Sequence, residues 1–216
     1  MKVAILSESP ADEAAVRVLA EAVLGRSVEL VPIRRGAPGM DGALAAVRPA
    51  FLALHYRRQA EALIVVVDSN SSPVHDGPLD RPCPQAAECR LCRIRQSIAE
   101  VRASLKPMAG LPPILTAVGL AVPAIEAWYL CGKHSPLSEA AWVRGMGDGK
   151  PPYTRARLKE LAYGTDRPSL AMETQCAVEH VRRVVRDLDL LERSFPVGFG
   201  CLRRDLESWA RPSSGP

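Results

Sequence analysis

The chain has 216 residues, of which 47% are hydrophobic and 24% are charged. This composition is typical of an ordinary soluble protein, and the length suits one α/β domain with or without a helical extension. No apolar stretch approaches the roughly 20 residues that span a bilayer, and the first residues turn acidic too early for a signal peptide. We therefore expect a cytoplasmic protein without a membrane partner. The net charge of +4 permits phosphate binding without requiring it.

Strands and helices alternate through the first part of the chain. The hydrophobic pattern predicts, in order, a strand at 2–7, a helix at 11–25, a strand at 28–33, a loop at 35–42, a helix at 43–60 with a kink near Pro49, and a strand at 63–68. Ser9 is the expected N-cap of the first helix, with Pro10 in its first turn and Gly25 at its end. Because strands and helices alternate with short connections, we predict a mostly parallel sheet.

The strand at 63–68 ends abruptly at an acid. Its five apolar residues, 63–67, leave no polar face and predict a central strand covered by helices on both sides. Asp68 stands at the carboxyl end of this strand, the edge at which open α/β sheets bind ligands. Asp68 is therefore a candidate metal ligand or catalytic group. The alternative is that it caps a turn or the next helix.

A long loop rich in Ser, Pro and Gly follows, and the segment 69–92 contains imidazole and thiol ligands. They occur in the order His-x7-Cys-x5-Cys-x2-Cys, at His75, Cys83, Cys89 and Cys92. These groups can bind zinc tetrahedrally and thereby order a loop that has few apolar anchors. The spacing is not a standard paired-knuckle pattern, so three reduced thiols are the alternative to a structural zinc site.

The second part of the chain is predicted to be mainly helical. We expect a helix at 88–105, a strand at 113–120, a helix that begins at Pro123, a Gly-rich loop at 144–153, and helices at 154–163, 169–192 and 199–209. On the first of these helices, Arg90 and Arg93 are candidates for binding a polyanionic substrate, with a solvated face as the alternative. Prolines after Lys150 exclude a P-loop. Arg144 and Lys150 are nevertheless candidate phosphate contacts.

Acids stand at three successive junctions between a strand and a helix. Glu8, Asp68 and Glu126 occupy these junctions, with Asp12 in the first turn of the first helix and Asn70 just after Asp68. Oxygen ligands of this kind suit Mg²⁺, which commonly serves phosphate and phosphodiester chemistry. Crowded carboxylates repel one another when no cation is present. The sequence therefore predicts a magnesium site at the carboxyl edge of the sheet, with Glu8 and Asp68 as catalytic residues.

Three short segments resemble the Toprim domain of topoisomerases, primases and overcoming-lysogenization-defect-type nucleases. They are 5–13, 66–70 and 124–130, and they are similar in particular to a Toprim-like family of uncharacterised bacterial proteins. That family is often encoded beside ATPases and is linked to anti-phage defence, and its C-terminal segment is similar to 192–199 here. The resemblance implies a Toprim-like sheet of about four strands flanked by helices. We accordingly expect an α/β core at 1–132, a helical extension packed on it at 133–210, and a frayed tail at 211–216.

The resemblance also implies an activity, that of a hydrolase dependent on Mg²⁺ or Mn²⁺. Glu8 would act as general acid or base and as a metal ligand, and Asp68 would be the principal metal ligand. Asp12 and Glu126 would supply further carboxylates to the metal site. We expect a nuclease or phosphodiesterase whose substrate is a nucleic acid or a nucleotide, with an ATPase as a potential partner.

Two positions depart from the Toprim pattern. Asn70 stands where a second Asp follows in that family, and Ser9 stands where Gly usually follows the Glu. Asn offers a carbonyl oxygen without a charge, so its affinity for a second metal ion should be lower. This departure supports one alternative, a non-catalytic metal-binding or nucleotide-binding partner of an ATPase. A second alternative is a zinc-stabilised nucleic-acid-binding module, and the pattern leaves the oligomeric state open.

Overall fold

The structure is a computed structural model, and it describes residues 1–33, 40–57, 59–108, 110, 112–134 and 137–209. The predicted tail at 211–216 and most of the predicted loop at 35–42 lie outside these residues. One parallel sheet contains β1 (Lys2–Leu6), β2 (Glu29–Leu30), β3 (Ala62–Asp68) and β4 (Leu115–Ala121). The predicted α/β class, with a parallel sheet of about four strands and a helical C-terminal part, is confirmed.

The sheet has the order β2-β1-β3-β4, so β3 lies between β1 and β4. Every residue of β3 is buried, as expected for an apolar central strand covered on both faces. In the register, Leu6 pairs with Val65, and Asp68 pairs with Ala121. Strand β2 lies at the edge of the sheet and is shorter than the predicted 28–33, although the Val31 N–H still donates to the Val3 oxygen at 2.9 Å.

Helices cover the sheet and form the C-terminal part. They are α1 (Pro10–Leu24), α2 (Met40–Arg57), α3 (Arg90–Ser104), α4 (Glu126–Tyr129), α5 (Glu139–Gly147), α6 (Arg155–Tyr163), α7 (Leu170–Val184), α8 (Leu188–Ser194) and α9 (Gly198–Ser208). Helix α1 has the predicted ends: the Ser9 hydroxyl accepts a hydrogen bond from the Asp12 N–H at 3.1 Å, and Gly25 is left-handed with φ 63°. A 3₁₀ turn at Val185–Asp187 divides the predicted helix at 169–192.

Two predicted boundaries in this part are wrong. The first half of the predicted loop at 144–153 belongs to α5, because the Ser138 hydroxyl caps this helix by accepting from the Ala141 N–H at 3.2 Å and Trp142 anchors it in the core. The helix predicted to begin at Pro123 starts at Glu126. Pro123 follows a cis peptide bond and belongs to the turn between β4 and α4.

The C-terminal helices pack directly on the α/β core. Helix α7 lies along α1, and α9 lies across β4. Gly119 of β4 permits this approach, since an added Cβ would lie 3.2 Å from both Leu202 and Trp128. The Trp128 ring meets Phe199 of α9 edge to face, with 5.7 Å between centroids. Among the helices that the structure describes, none has the length and apolar character needed to cross a membrane.

Candidate functional site

The strand order creates a crevice between the ends of β1 and β3. From β1 the chain crosses to β2 on one side, and it then returns through α2 to β3 on the other side. The connections that follow β1 and β3 therefore leave the sheet in opposite directions, which is the arrangement at which open α/β sheets bind ligands. Glu8 follows β1, and Asp68 is the last residue of β3.

Hydrogen bonds join the ends of the three adjacent strands at this crevice. The Glu8 carboxylate accepts the backbone N–H of Asp68 at 3.1 Å. Asp68 Oδ1 in turn accepts the N–H of Ile125 at 3.0 Å, and Ile125 directly precedes Glu126. The structure thus brings Glu8, Asp68 and Glu126 to one edge of the sheet. With Asp12 of α1, they form what we call the carboxylate site.

Burial raises the pKa values of three of these acids, Asp12, Asp68 and Glu126, and mutual repulsion adds to the shift for Asp12 and Asp68. Asp68 and Glu126 are only 6% and 5% exposed. Burial raises the pKa of Asp68 well above its ordinary value, and the neighbouring charges of Glu126, Glu8 and Asp12 raise it further. Burial, assisted by the charges of Glu126 and Glu8, raises the pKa of Asp12 to about 7. Burial also raises the pKa of Glu126. A cation in this site would favour the charged forms.

Two arginines lie against the carboxylate site. Arg90, at the start of α3, donates to the Asp68 backbone oxygen at 2.7 Å and lies 3.8 Å from the Glu8 carboxylate. Arg155, at the start of α6, donates to Asp68 Oδ2 at 2.7 Å and to the Asn70 side-chain oxygen. Both guanidinium groups therefore bring positive charge to the crevice.

One face of α6 supplies groups that the sequence analysis missed. Arg155, Lys159 and Tyr163 are spaced four residues apart, so they share a helical face. The Tyr163 hydroxyl donates to Glu126 Oε1 at 3.3 Å. The Lys159 ammonium pairs with Glu173 of α7 at 3.0 Å. The four-residue spacing of these polar groups is the signal in the sequence that could have identified them.

Tyr129 of α4 places an unpaired donor beside the acids. The side chain is fully buried, and its hydroxyl has no hydrogen-bond partner among the residues that the structure describes. Burial raises the pKa of Tyr129, and the charges of Asp12, Glu126 and Asp68 raise it further, which locates the phenol near the carboxylates. A buried orphan hydroxyl is uncommon in folded proteins, and it is available to a bound group at this site.

No hydrogen bond or ion pair among the described residues joins the remaining predicted substrate contacts to the carboxylate site. Arg93 of α3 pairs with Asp41 of α2 at 3.5 Å. Arg144 and Lys150 are exposed, and neither side chain has a hydrogen bond or ion pair within the described part of the chain. Asn70 is different, because it lies in a left-handed turn with φ 52°, and Arg155 binds its side chain.

The side chains at the crevice offer oxygen atoms as ligands. The carboxylate site and Asn70 offer oxygen atoms, which Mg²⁺ and Mn²⁺ prefer. Hydrogen bonds already occupy both Asp68 oxygens, one from Ile125 and one from Arg155. Glu8 and Glu126, by contrast, each accept a hydrogen bond through one oxygen, from the Asp68 N–H and from the Tyr163 hydroxyl.

A second cluster is made of soft ligands. His75, Cys83, Cys89 and Cys92 are all buried, and their ligand atoms lie within 4.8 Å of one another. We call this group the soft-ligand site. The cysteines are free thiols, and the Cys83 and Cys92 sulfurs are 3.6 Å apart. A metal such as zinc can bind here.

A comparison of the chain with protein-family models, with curated proteins and with solved structures finds no match. The Toprim resemblance of the three short segments therefore stays a prediction.

Proposed function

We propose that the chain is a nuclease or phosphodiesterase that uses Mg²⁺ or Mn²⁺ at the carboxylate site. The observation that carries the proposal is the convergence of four acids, three of them with raised pKa values, at the ligand-binding edge of the sheet. A divalent ion would relieve the mutual repulsion of these acids. The resemblance of the surrounding segments to Toprim domains is consistent with this chemistry.

The residues at the crevice would have different roles in phosphodiester cleavage. Glu8, Asp12 and Glu126 would hold the ion, which would activate water and stabilise charge on the phosphate. Glu8 would also serve as the general base or acid. Arg90 and Arg155 would hold non-bridging phosphate oxygens through paired N–H groups.

One observation favours the alternative of a non-catalytic protein. Arg155 supplies a positive charge from the chain itself. Its guanidinium donates to Asp68 Oδ2 at 2.7 Å and also to the side-chain oxygen of Asn70. An internal cation of this kind can neutralise an acidic site that has lost its metal. In that case the protein would bind a metal or nucleotide without cleaving a substrate.

A cleavage assay separates the two proposals. Plasmid, single-stranded DNA and RNA are incubated with the protein in Mg²⁺, in Mn²⁺ or in EDTA, and the products are separated on gels. We expect metal-dependent cleavage by the native chain and a loss of at least about 100-fold in Asp68→Asn, since an amide no longer supplies the charge that orders the site. The control is Glu160→Gln, an exposed acid on α6 that pairs with Arg157, and it should cleave normally.

The other outcomes are equally informative. Metal binding in calorimetry without cleavage of any substrate would support the non-catalytic alternative. Cleavage that persists in EDTA, or in Asp68→Asn, would exclude the carboxylate site as the source of the activity. Nucleic-acid binding that is unaffected by Asp68→Asn would instead support a binding module.

A further inference from the structure

We propose that the soft-ligand site binds one structural Zn²⁺, and that this ion fixes the first turn of α3 and with it Arg90. The zinc site itself does not depend on the proposed nuclease activity. Only the role of Arg90 toward a phosphate depends on that activity.

Two separations between the ligand atoms match those of a tetrahedral zinc site, and all four atoms lie within 4.8 Å of one another. With Zn–S bonds of about 2.3 Å and Zn–N bonds of about 2.0–2.1 Å, tetrahedral angles separate two sulfurs by about 3.8 Å and a nitrogen from a sulfur by about 3.5 Å. The Cys83 and Cys92 sulfurs are 3.6 Å apart, and His75 Nδ1 lies 3.3 Å from the Cys92 sulfur. A disulfide requires about 2.05 Å, so the sulfurs are not bonded.

His75 is oriented as a zinc ligand would be. Its Nε2 lies 3.2 Å from the backbone oxygen of Pro78. A carbonyl oxygen only accepts hydrogen bonds, so Nε2 carries the proton, and the lone pair of a neutral imidazole lies on Nδ1. Nδ1 is the atom that faces the Cys92 sulfur. A backbone carbonyl that fixes the second ring nitrogen is the usual support of a metal-binding histidine.

The segment that carries these ligands has little else to order it. Residues 69–89 contain neither helix nor strand. A connection of this length without regular structure is uncommon in a compact domain unless something ties it down. Its partly buried apolar residues are few, namely Val74, Leu79 and Ala86. Four buried ligands on one ion would supply the missing constraint, whereas three separate thiols would not explain why these side chains converge.

The site continues directly into the crevice through α3. Cys89 is the N-cap residue of α3, and Cys92 lies in its first turn, so two ligands flank Arg90. Arg95, one turn further, donates to the backbone oxygen of Leu79 at 2.7 Å and ties the same loop to the helix. Arg90 itself contacts Asp68. An ion bound to Cys89 and Cys92 would therefore position the guanidinium that faces the carboxylate site.

Metal analysis of the purified full chain tests the site. We expect about one zinc per chain from zinc-supplemented expression, almost none in Cys89→Ser, and about one in Cys201→Ser. Cys201 is the matched control, because it is a fully buried cysteine on α9 outside the cluster. Folded native protein without zinc, or equal zinc in Cys89→Ser, would overturn the proposal.

Cobalt exchange keeps the test valid if Cys89→Ser does not fold. The native chain is purified with Co²⁺, and thiolate coordination should give an intense charge-transfer absorption together with visible bands typical of tetrahedral cobalt. Octahedral cobalt bands without charge transfer would contradict a site of three cysteines and one histidine.

Hydrogen exchange tests the positioning of Arg90 without any cleavage assay. Removal of zinc from the native chain should speed amide exchange in residues 69–95, including the first turn of α3, by about tenfold or more. Helix α7, which packs on α1, provides the internal control and should keep its protection. If the first turn of α3 stays protected after zinc removal, zinc does not position Arg90. If zinc is bound but no substrate is cleaved, the proposed function fails and the zinc site stands.

Discussion

The two candidate metal sites of this chain are built in different ways. The ligands of the soft-ligand site come from one continuous segment, 75–92. The acids of the carboxylate site come from positions 8, 12, 68 and 126, and they meet only because β1, β3 and β4 are adjacent and parallel. A site of the first kind can assemble around its ion, whereas a site of the second kind requires a finished sheet.

The two sites also differ in which groups bind their ligand side chains. At the carboxylate site, backbone N–H groups and arginines of the chain already bind the acids, so the fold can exist without a metal ion. At the soft-ligand site the ligands chiefly face one another. We therefore expect zinc to contribute mainly to stability and Mg²⁺ to contribute mainly to activity.

The largest effect should come from zinc removal. A strong zinc chelator, applied with a reductant, should lower the Tm by about 10 °C or more, because metal binding free energy at such a site is folding free energy and each kcal/mol shifts Tm by roughly 2–4 °C in a domain of this size. Differential scanning calorimetry measures the shift. Excess Mg²⁺ is present throughout, so that loss of Mg²⁺ does not contribute.

Cys83→Ser provides the control for this experiment. It should start from the lowered Tm and show no further decrease with the chelator. A chelator effect of equal size in native chain and variant would place the bound metal elsewhere.

The second largest effect should be confined to activity. Glu8→Gln preserves the shape of the side chain, and it should reduce cleavage by at least about 100-fold, or about 2.7 kcal/mol of transition-state stabilisation. Zinc content should not change. Steady-state kinetics and metal analysis of the same preparation measure both quantities.

Glu29→Gln is the matched control for Glu8→Gln. Glu29 is an exposed acid on β2 that pairs with Lys2, far from the ends of the strands that form the crevice. Full activity in Glu8→Gln would show that the carboxylate site does not carry out the cleavage.

These two sites also show what a single sequence can reveal. The spacing of His75, Cys83, Cys89 and Cys92 is local, and it was sufficient to propose a cluster that the structure brings together. The buried run of β3, which ends at Asp68, predicted a central strand because no polar face interrupts it. Both inferences need only short-range order.

The groups contributed by the helical part were not predicted. Arg155 lies 87 positions from Asp68, and Tyr163 lies 37 positions from Glu126. Only the packing of α6 against α4 brings them to the crevice. Arg144 and Lys150 were predicted as phosphate contacts in a Gly-rich loop at 144–153, but residues 144–147 of that segment belong to α5. Long-range packing decided each of these cases.

A smaller effect concerns the dependence of stability on pH. The pKa of Asp12 is raised from 3.8 to about 7, so the folded chain keeps this proton longer than the unfolded chain does. The contribution of Asp12 to the free energy of unfolding is therefore fully present below the unfolded pKa of 3.8, and it is lost as the pH rises through the folded pKa of about 7. In EDTA we expect the free energy of unfolding to fall by about 1–2 kcal/mol between about pH 5 and about pH 8, after allowance for solvent screening. Urea titrations measure it.

Asp12→Asn should flatten this dependence, and Mg²⁺ should restore much of the stability lost at high pH in the native chain. Glu139 is the control, because burial also raises its pKa to about 7, but the N–H groups of Val197 and Gly198 hold its carboxylate. Glu139→Gln should also reduce the pH dependence of the free energy of unfolding. The size of that reduction should be the same with and without Mg²⁺. An unchanged pH dependence in Asp12→Asn would exclude Asp12 as its source.

The smallest effect should reveal competition between Arg155 and the metal. Arg155→Ala removes a cation that binds Asp68 Oδ2, so that oxygen becomes available to the ion. We expect the affinity for Mg²⁺ or Mn²⁺ to rise by about twofold to fivefold, since a half-exposed ion pair contributes about 1 kcal/mol or less. Isothermal calorimetry with the chain free of divalent metal measures the change.

Arg157→Ala is the matched control, because Arg157 lies on the same helix and pairs only with the exposed Glu160 among the described residues. Its metal affinity should equal that of the native chain. If Arg155→Ala raises metal affinity and lowers cleavage, then Arg155 leaves Asp68 for the phosphate when the ion enters, and the carboxylate site is catalytic. If it raises metal affinity in a chain that cleaves nothing, Arg155 is a permanent substitute for the ion, and the non-catalytic alternative holds.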